Sequence, residues 1–563
     1  MTSPDNHQPF VGRVLGTEPA TPLEFWVAIA DGHYLQLDDV VLLERRLPGV
    51  ARPVKIFGIV TEVRARHEGA RFDSDVFLIE DGVLPGEVAE AAKIMAMRFE
   101  PEVFVAPMPG EVVSKGTGEA RDQALFFDGM KRKVPVGLSR DGEPVYVNTE
   151  FIDGSRGAHF NISGISGVAT KTSYAVFLLH SLFNSGQLGP AAHNTKALIF
   201  NVKGEDLLFL DSENRELDDE NRQRYEALGL PAEPFKSVEL WVPPRPGDSS
   251  GAPHAGSRLK GLNPFCWTLL DFCRDGLLPF LFADADDERQ QYTIVLHNVT
   301  EKLRKEAKDG GEGAVILEKA PCRTFEDLIA IITQRLEEGE PGWTGRSIGT
   351  GTVNAFVRRL HSARRDVGHL VRADLSNPEK RRLDFQAQVA VVDIAKLSSR
   401  AQRFVVGAVL RREFERKEEA GSRTPLLFVV LDELNKYAPR KGRSPIKEIL
   451  LDIAERGRSL GVILIGAQQT ASEVERRIIA NSSVRVVGRL DSAEAGRPEY
   501  AFLPSAVRQR ATIAKPGTMI VAQPELPVPL VLNFPFPAWA TRLDEMGSGD
   551  GGEDESDPFD DLG

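Results

Sequence analysis

Two short, wholly apolar runs lie between Pro425 and Ala467, and each ends abruptly in polar residues. Leu426-Leu427-Phe428-Val429-Val430-Leu431 is β-branched in its middle and has the length of a strand buried on both faces. It ends in Asp432-Glu433. Gly461-Val462-Ile463-Leu464-Ile465-Gly466-Ala467 ends in Gln468-Gln469. Runs of this kind predict neighbouring parallel strands, and an open α/β sheet gathers its ligand site at the carboxyl ends of such strands. A carboxylate there can hold Mg²⁺ through its water shell, and the next one can orient an attacking water.

A phosphate-binding partner for this pair is present upstream. His159-Phe160-Asn161-Ile162-Ser163 reads as a short strand, and Tyr174 to Phe183 as a helix. Between them runs Gly164-Ile165-Ser166-Gly167-Val168-Ala169-Thr170-Lys171-Thr172-Ser173. Strand, glycine-containing loop and helix aim backbone N–H groups and a helix N-terminus at phosphates. Lys171 is then expected against the β- and γ-phosphates, and the Thr172 hydroxyl on Mg²⁺. The usual spacing places glycine directly before the lysine and again five residues earlier; Thr170 and Ile165 stand at those positions. Taken singly, the loop also fits a plain strand–turn–helix corner, and apolar strands ending in acidic residues are common in α/β proteins. Their order along the chain, with Gln468 behind, points to an NTPase.

The 563-residue length predicts three or four domains. No stretch has the length of an apolar membrane span, and Met1 to Gln8 lacks the apolar segment of a secretory signal. Cys266, Cys273 and Cys322 are few and not spaced like a zinc site, so reduced thiols in a cytoplasmic protein are expected. A net charge of −13 opposes nonspecific nucleic-acid coating by the whole surface, though not a basic channel within a ring. The acidic stretch Gly547 to Gly563 reads as a disordered end, either solubilising or interacting.

Residues 1–9 read as a disordered start. From Phe10 to about Val113, strands at Gly12–Gly16, Glu24–Ile29, Asp39–Leu43, Val54–Val63 and Ile94–Phe99 predict a small β-barrel, with Arg64 to Phe77 as a loop. An α/β core is expected over 114–262 and 381–540. A helical insertion is expected at 263–380, from the spacing of Trp267 to Phe272 and Phe325 to Ile332. Residues 541–563 form the acidic tail.

These residues resemble the HerA family, the hexameric motor ATPases related to FtsK. The resemblance is carried by Gly157 to Gly164, by Val202-Lys203-Gly204-Glu205, and above all by Leu431-Asp432-Glu433-Leu434-Asn435-Lys436-Tyr437-Ala438-Pro439, Ile453 to Val462 and Gly466-Ala467-Gln468-Gln469. It implies a RecA-like P-loop ATPase core with a helical insertion and an N-terminal barrel, ATP and Mg²⁺ as cofactors, and a homohexameric ring acting on DNA. It also implies a separate effector docked on the barrel, such as a nuclease or an NAD-depleting enzyme of an antiphage system. Two positions depart from the family: Thr170 replaces the glycine before the lysine, and Asn435 stands where a histidine is frequent.

In that frame Gly164, Ser166, Gly167, Val168, Ala169, Thr170, Lys171, Thr172 and Ser173 cradle the nucleotide. Thr172 and Asp432 hold the metal, and Glu433 acts on water. Gln468 either senses the γ-phosphate or makes a strand-end hydrogen bond. Arg456, Arg458, Arg485 and Arg489 are candidates for a positive group donated between subunits, or for ordinary surface salt bridges. Alternation places Arg485 and Arg489 on one face of a strand. Lys436, Arg440, Lys441 and Arg443 either line a DNA channel or form a solvated loop. The barrel either docks the effector or only stabilises the ring. A scaffold that binds nucleotide weakly, or a nucleotide-sensing regulator without translocation, are the other classes open to such a chain.

Overall fold

Alternating apolar residues close the N-terminal strands into a barrel in the computed structural model, which describes residues 9–68, 70, 72–165, 171–282, 290–346, 348–375 and 377–546. The strands are β1 (Phe10–Val14), β2 (Glu24–Ile29), β3 (Val40–Arg45), β4 (Val54–Glu68), β5 (Glu87–Glu100) and β6 (Val112–Lys115). All neighbours are antiparallel, in the closed order β1-β2-β5-β4-β3-β6, so no edge is left unpaired. Phe25, Val27, Val54, Ile56, Ile94 and Val113 fill the interior.

The expected loop from Arg64 to Phe77 is corrected here. β4 continues to Glu68 and pairs with β5 as far as Glu68↔Glu87, and Asp75–Glu80 is a short helix. The segment joining β4 to β5, with the start of β5, carries exposed Phe72, Phe77, Val83 and Val88. The barrel is tied to the rest of the chain by charge: Arg510 makes a bidentate pair with Asp38 at 2.9 and 2.7 Å, and Arg140 reaches the buried Asp39, which also pairs with Lys115 inside the barrel.

The second body is built on one large sheet. β7 (Lys133–Leu138), β8 (Pro144–Asn148), β9 (Phe160–Ser163), β10 (Lys196–Asn201), β11 (Val238–Val242) and β12 (Leu262–Pro264) come before the insertion. The insertion holds helices Leu269–Arg274, Gln290–Glu306, Phe325–Glu337, Pro341–Thr344 and Thr350–Val367. It also holds a small antiparallel sheet, β13 (Lys308–Asp309), β14 (Val315–Leu317) and β15 (Ala320–Cys322), which the helical expectation for 263–380 missed. β16 (Val389–Asp393), β17 (Leu427–Leu431), β18 (Val462–Gln468), β19 (Val484–Val487), β20 (Thr518–Ala522) and β21 (Leu530–Asn533) complete the chain.

The twelve strands run β12-β11-β16-β10-β17-β18-β9-β19-β20-β21-β7-β8. From β12 to β19 neighbours are parallel; from β19 to β8 they are antiparallel. The sequence β19-β9-β18-β17-β10 is a RecA-like arrangement, and the fold is α/β with a separate antiparallel barrel. Every residue of β17 and β18 is buried, as continuous apolar runs require. Period-two alternation divides them between two cores. Val429, Leu431 and Leu464 face the insertion side; Phe428, Val430, Ile463 and Ile465 face the side of the helix Lys171–Asn184. At about 1.5–3 kcal/mol per buried large apolar side chain, these two layers dominate the stabilisation of the sheet. Cys266, Cys273 and Cys322 are buried free thiols in and around the insertion. Among the described residues no helix is long and apolar enough to cross a membrane.

Candidate active site

β9 delivers the chain to the carboxyl edge of the sheet and the helix Lys171–Asn184 takes it away. Gly164 donates its N–H to the Gln468 carbonyl (3.2 Å) and Ile165 to the Arg489 carbonyl (2.8 Å), so the start of the loop is hydrogen-bonded to both neighbouring strand ends. Ser166, Gly167, Val168, Ala169 and Thr170 lie outside the described residues. Lys171 opens the helix, and Thr172 and Ser173 follow in its first turn.

Lys171 is buried, and burial pulls its pKa down. The carboxylates of Asp432 and Glu433 oppose that shift, while Lys203 adds to it. Asp432 and Glu433 leave the end of β17 with only 4% and 5% exposure. The Thr172 hydroxyl donates to Asp432 Oδ2 at 2.8 Å, and the Glu433 N–H donates to Asp432 Oδ1 at 2.7 Å. Residues 260 positions apart therefore meet through β18, which lies between β9 and β17 in the sheet. A threonine hydroxyl against a strand-end carboxylate offers two hard oxygens. That donor set suits Mg²⁺, which takes one or two protein ligands and completes its shell with phosphate and water.

Glu433 sits at φ 54°, ψ 43°, a left-handed conformation that costs a non-glycine residue about 1 kcal/mol or more. Its carboxylate is held by two donors on one oxygen: Lys203 Nζ at 2.7 Å and Gln469 Nε2 at 3.0 Å from Oε1. Burial pushes its pKa up. Hydrogen bonds from Lys203 and Gln469, with the charges of Lys203 and Lys171, outweigh burial, and the pKa lies below the usual value. The group is an ionised acceptor at neutral pH.

The other sequence candidates divide. Gln468 is fully buried in the last position of β18. Its amide donates to Asn161 Oδ1 (2.9 Å) and Ser163 Oγ (2.8 Å) on β9, which is the strand-end hydrogen-bond alternative. The neighbouring Gln469 is the glutamine that reaches the acidic pair. Arg456 pairs with Glu418 and lies over the Phe414 ring, while Arg458 donates to the carbonyls of Gly154 and Ser155. Arg485 lies over the Phe502 ring, and burial lowers its pKa. Arg489 is exposed and stands past the end of β19 in a bend, so it does not share a strand face with Arg485 as alternation predicted. Arg440 pairs with Glu499, at a place where Pro439 bridges to Val474.

Lys203, Gln469, Asn161 and Ser163 went unassigned by sequence reasoning. Lys203 and Gln469 stood only within the blocks that carry the family resemblance; they and Ser163 lie at or just past the carboxyl end of a parallel strand, while Asn161 lies two residues before the end of β9.

No family model and no curated protein matches the chain. Solved structures do. VirB4 of Thermoanaerobacter pseudethanolicus is 15% identical over 72% of this chain and 96% of its own, with a TM-score of 0.44. The plasmid coupling protein TrwB in complex with ADP and Mg²⁺ is 11% identical over 73% of this chain and 93% of its own, with a TM-score of 0.42. The genome packaging NTPase B204 of Sulfolobus turreted icosahedral virus 2, in complex with ATPγS, is 11% identical over 27% of this chain and 70% of its own, with a TM-score of 0.21.

Proposed function

We propose that this chain is a HerA-like, Mg²⁺-dependent ATPase that works as a ring-shaped motor on DNA. The single observation that carries the ATPase reading is the hydrogen bond from Thr172 to Asp432, with Glu433 fixed beside it in a left-handed backbone conformation. Lys171 neutralises charge on the transferred phosphoryl group, Thr172 and Asp432 hold Mg²⁺, and Glu433 orients the attacking water. When bound, Mg²⁺ supplies Lewis-acid neutralisation of the phosphate oxygens. The strain at Glu433 is consistent with a residue placed for chemistry rather than for folding. Gln469, rather than Gln468, is the glutamine assigned to this site. A homohexamer with an arginine donated across each interface, and DNA in its channel, completes the reading.

The barrel end is assigned to a separate effector protein, such as a nuclease or an NAD-depleting enzyme, in an antiphage role. The apolar side chains exposed in the segment joining β4 to β5 support a docking role over a purely stabilising one. A scaffold that binds nucleotide without moving DNA is the alternative.

Glu433→Gln tests the reading. It is expected to keep Mg²⁺-dependent ATP binding while turnover falls at least about 100-fold, as removal of a group acting only on the reacting water requires. EDTA should abolish wild-type turnover, and linear duplex DNA should raise it. A wild-type rate in Glu433→Gln would refute the site. Turnover indifferent to DNA would favour the scaffold.

A further inference from the structure

We propose that Lys203 is a positioning residue for Glu433, held on a purpose-built turn at the end of β10. The inference deepens the assignment of Glu433 as the residue that orients water, and rests on it. β10 pairs with β17 in parallel, Phe200 opposite Leu431, so the chain leaving β10 emerges directly beside Asp432-Glu433.

The turn is fixed at both ends. The Asn201 side-chain amide donates to the Gly204 carbonyl (3.0 Å) and to Asp393 Oδ1 (2.9 Å). Gly204 has φ 72°, a value that favours glycine. Glu205 then accepts the Ser257 N–H at 3.0 Å and its hydroxyl. The loop lies so close that a Cβ on Gly256 would fall 1.7 Å from Glu205 Oε1. Lys203 is thus presented by an anchored backbone.

The pair is unlike an exposed salt bridge, which contributes little because both side chains are mobile and solvated. The Glu433 side chain is 7% exposed against 49% for Lys203, so the anchored cation comes to a buried carboxylate. Lys203 and Gln469 converge on the same oxygen. Two donors on Oε1 fix the plane of the carboxylate, and the direction of its second oxygen follows. Misplacing a catalytic group by about 1 Å costs on the order of 100-fold in rate. Gln469 remains when Lys203 is removed, so a part of that loss is expected.

The test is steady-state ATP turnover of full-length Lys203→Met, Lys203→Arg and Lys203→Gln, with thermal unfolding of the nucleotide-free proteins. Lys203→Met should lower kcat about 10-fold with KM for ATP changed less than about twofold. Lys203→Arg should restore most of kcat, and Lys203→Gln, which keeps a donor without the charge, should fall between. In a double-mutant cycle with Glu433→Gln, the Tm changes should be less than additive, and Lys203→Met should not lower the residual turnover of Glu433→Gln further. An unchanged or raised kcat in Lys203→Met, a loss confined to KM, or strict additivity overturns the proposal. A wild-type rate in Glu433→Gln overturns the assignment of Glu433, and the role of Lys203 with it, whereas an inactive Glu433→Gln beside a fully active Lys203→Met overturns the role of Lys203 alone.

Discussion

His159 should make the nucleotide-free protein acid-labile, and the size of the effect can be worked out. It is 1% exposed, at the entry to β9, and its Nδ1 accepts the Leu464 N–H of β18 at 2.9 Å. Burial lowers its pKa from 6.5 to about 4. The folded state therefore holds the ring neutral, and the unfolded chain binds the proton first. The stabilisation is complete above the unfolded pKa of 6.5 and is lost as pH falls through the window down to about 4. Linkage gives a loss of about 1.4 kcal/mol by about pH 5.5 and about 2.5 kcal/mol by about pH 4.5 from this residue.

His159→Asn isolates it. Asparagine tolerates the left-handed φ of 67° and its carbonyl can accept the same N–H, but it does not titrate. Its smaller volume should cost about 1–2 kcal/mol at neutral pH. Chemical denaturation followed by tryptophan fluorescence, from about pH 7.5 to about pH 4.5, should show wild type ahead at the neutral end and the gap closing or reversing at the acid end. A gap constant across that range would refute the assignment of a buried neutral imidazole.

Thr172→Ala should lower turnover at least about 10-fold and raise the Mg²⁺ concentration needed for half-maximal activity, with Thr172→Ser near wild type, because a hydroxyl facing Asp432 is what the site uses; a Mg²⁺ titration of the rate decides it. Gly461→Ala should destabilise by about 3 kcal/mol or more, since φ is 69° and a Cβ would stand 1.8 Å from the Arg423 carbonyl just before β18; a Tm within 1–2 °C of wild type, where about 3 kcal/mol predicts a larger drop, would contradict it.

The linear sequence carried the parts of this protein whose physics is local. β17 and β18 were legible because strands buried on both faces must be apolar without interruption, and their ends were marked by the first polar residues, Asp432 and Gln468. Lys171 and Thr172 were legible as phosphate-site candidates at the end of a glycine-containing loop, although the helix expected from Tyr174 in fact begins at Lys171. What depended on pairing was not. Gln468 and Gln469 are adjacent and chemically identical, and which one meets Glu433 follows from the register Gln468↔Ser163, which pins the first against β9 and leaves the second to turn toward β17. Lys203 meets Glu433 only because β10 lies beside β17, a neighbour relation between segments 230 residues apart that no local pattern encodes. The outer third of β4 was misread for the same reason. Arg64-Ala65-Arg66-His67-Glu68 has no buried face to impose an apolar alternation, and its strand conformation is decided by the ladder it forms with β5.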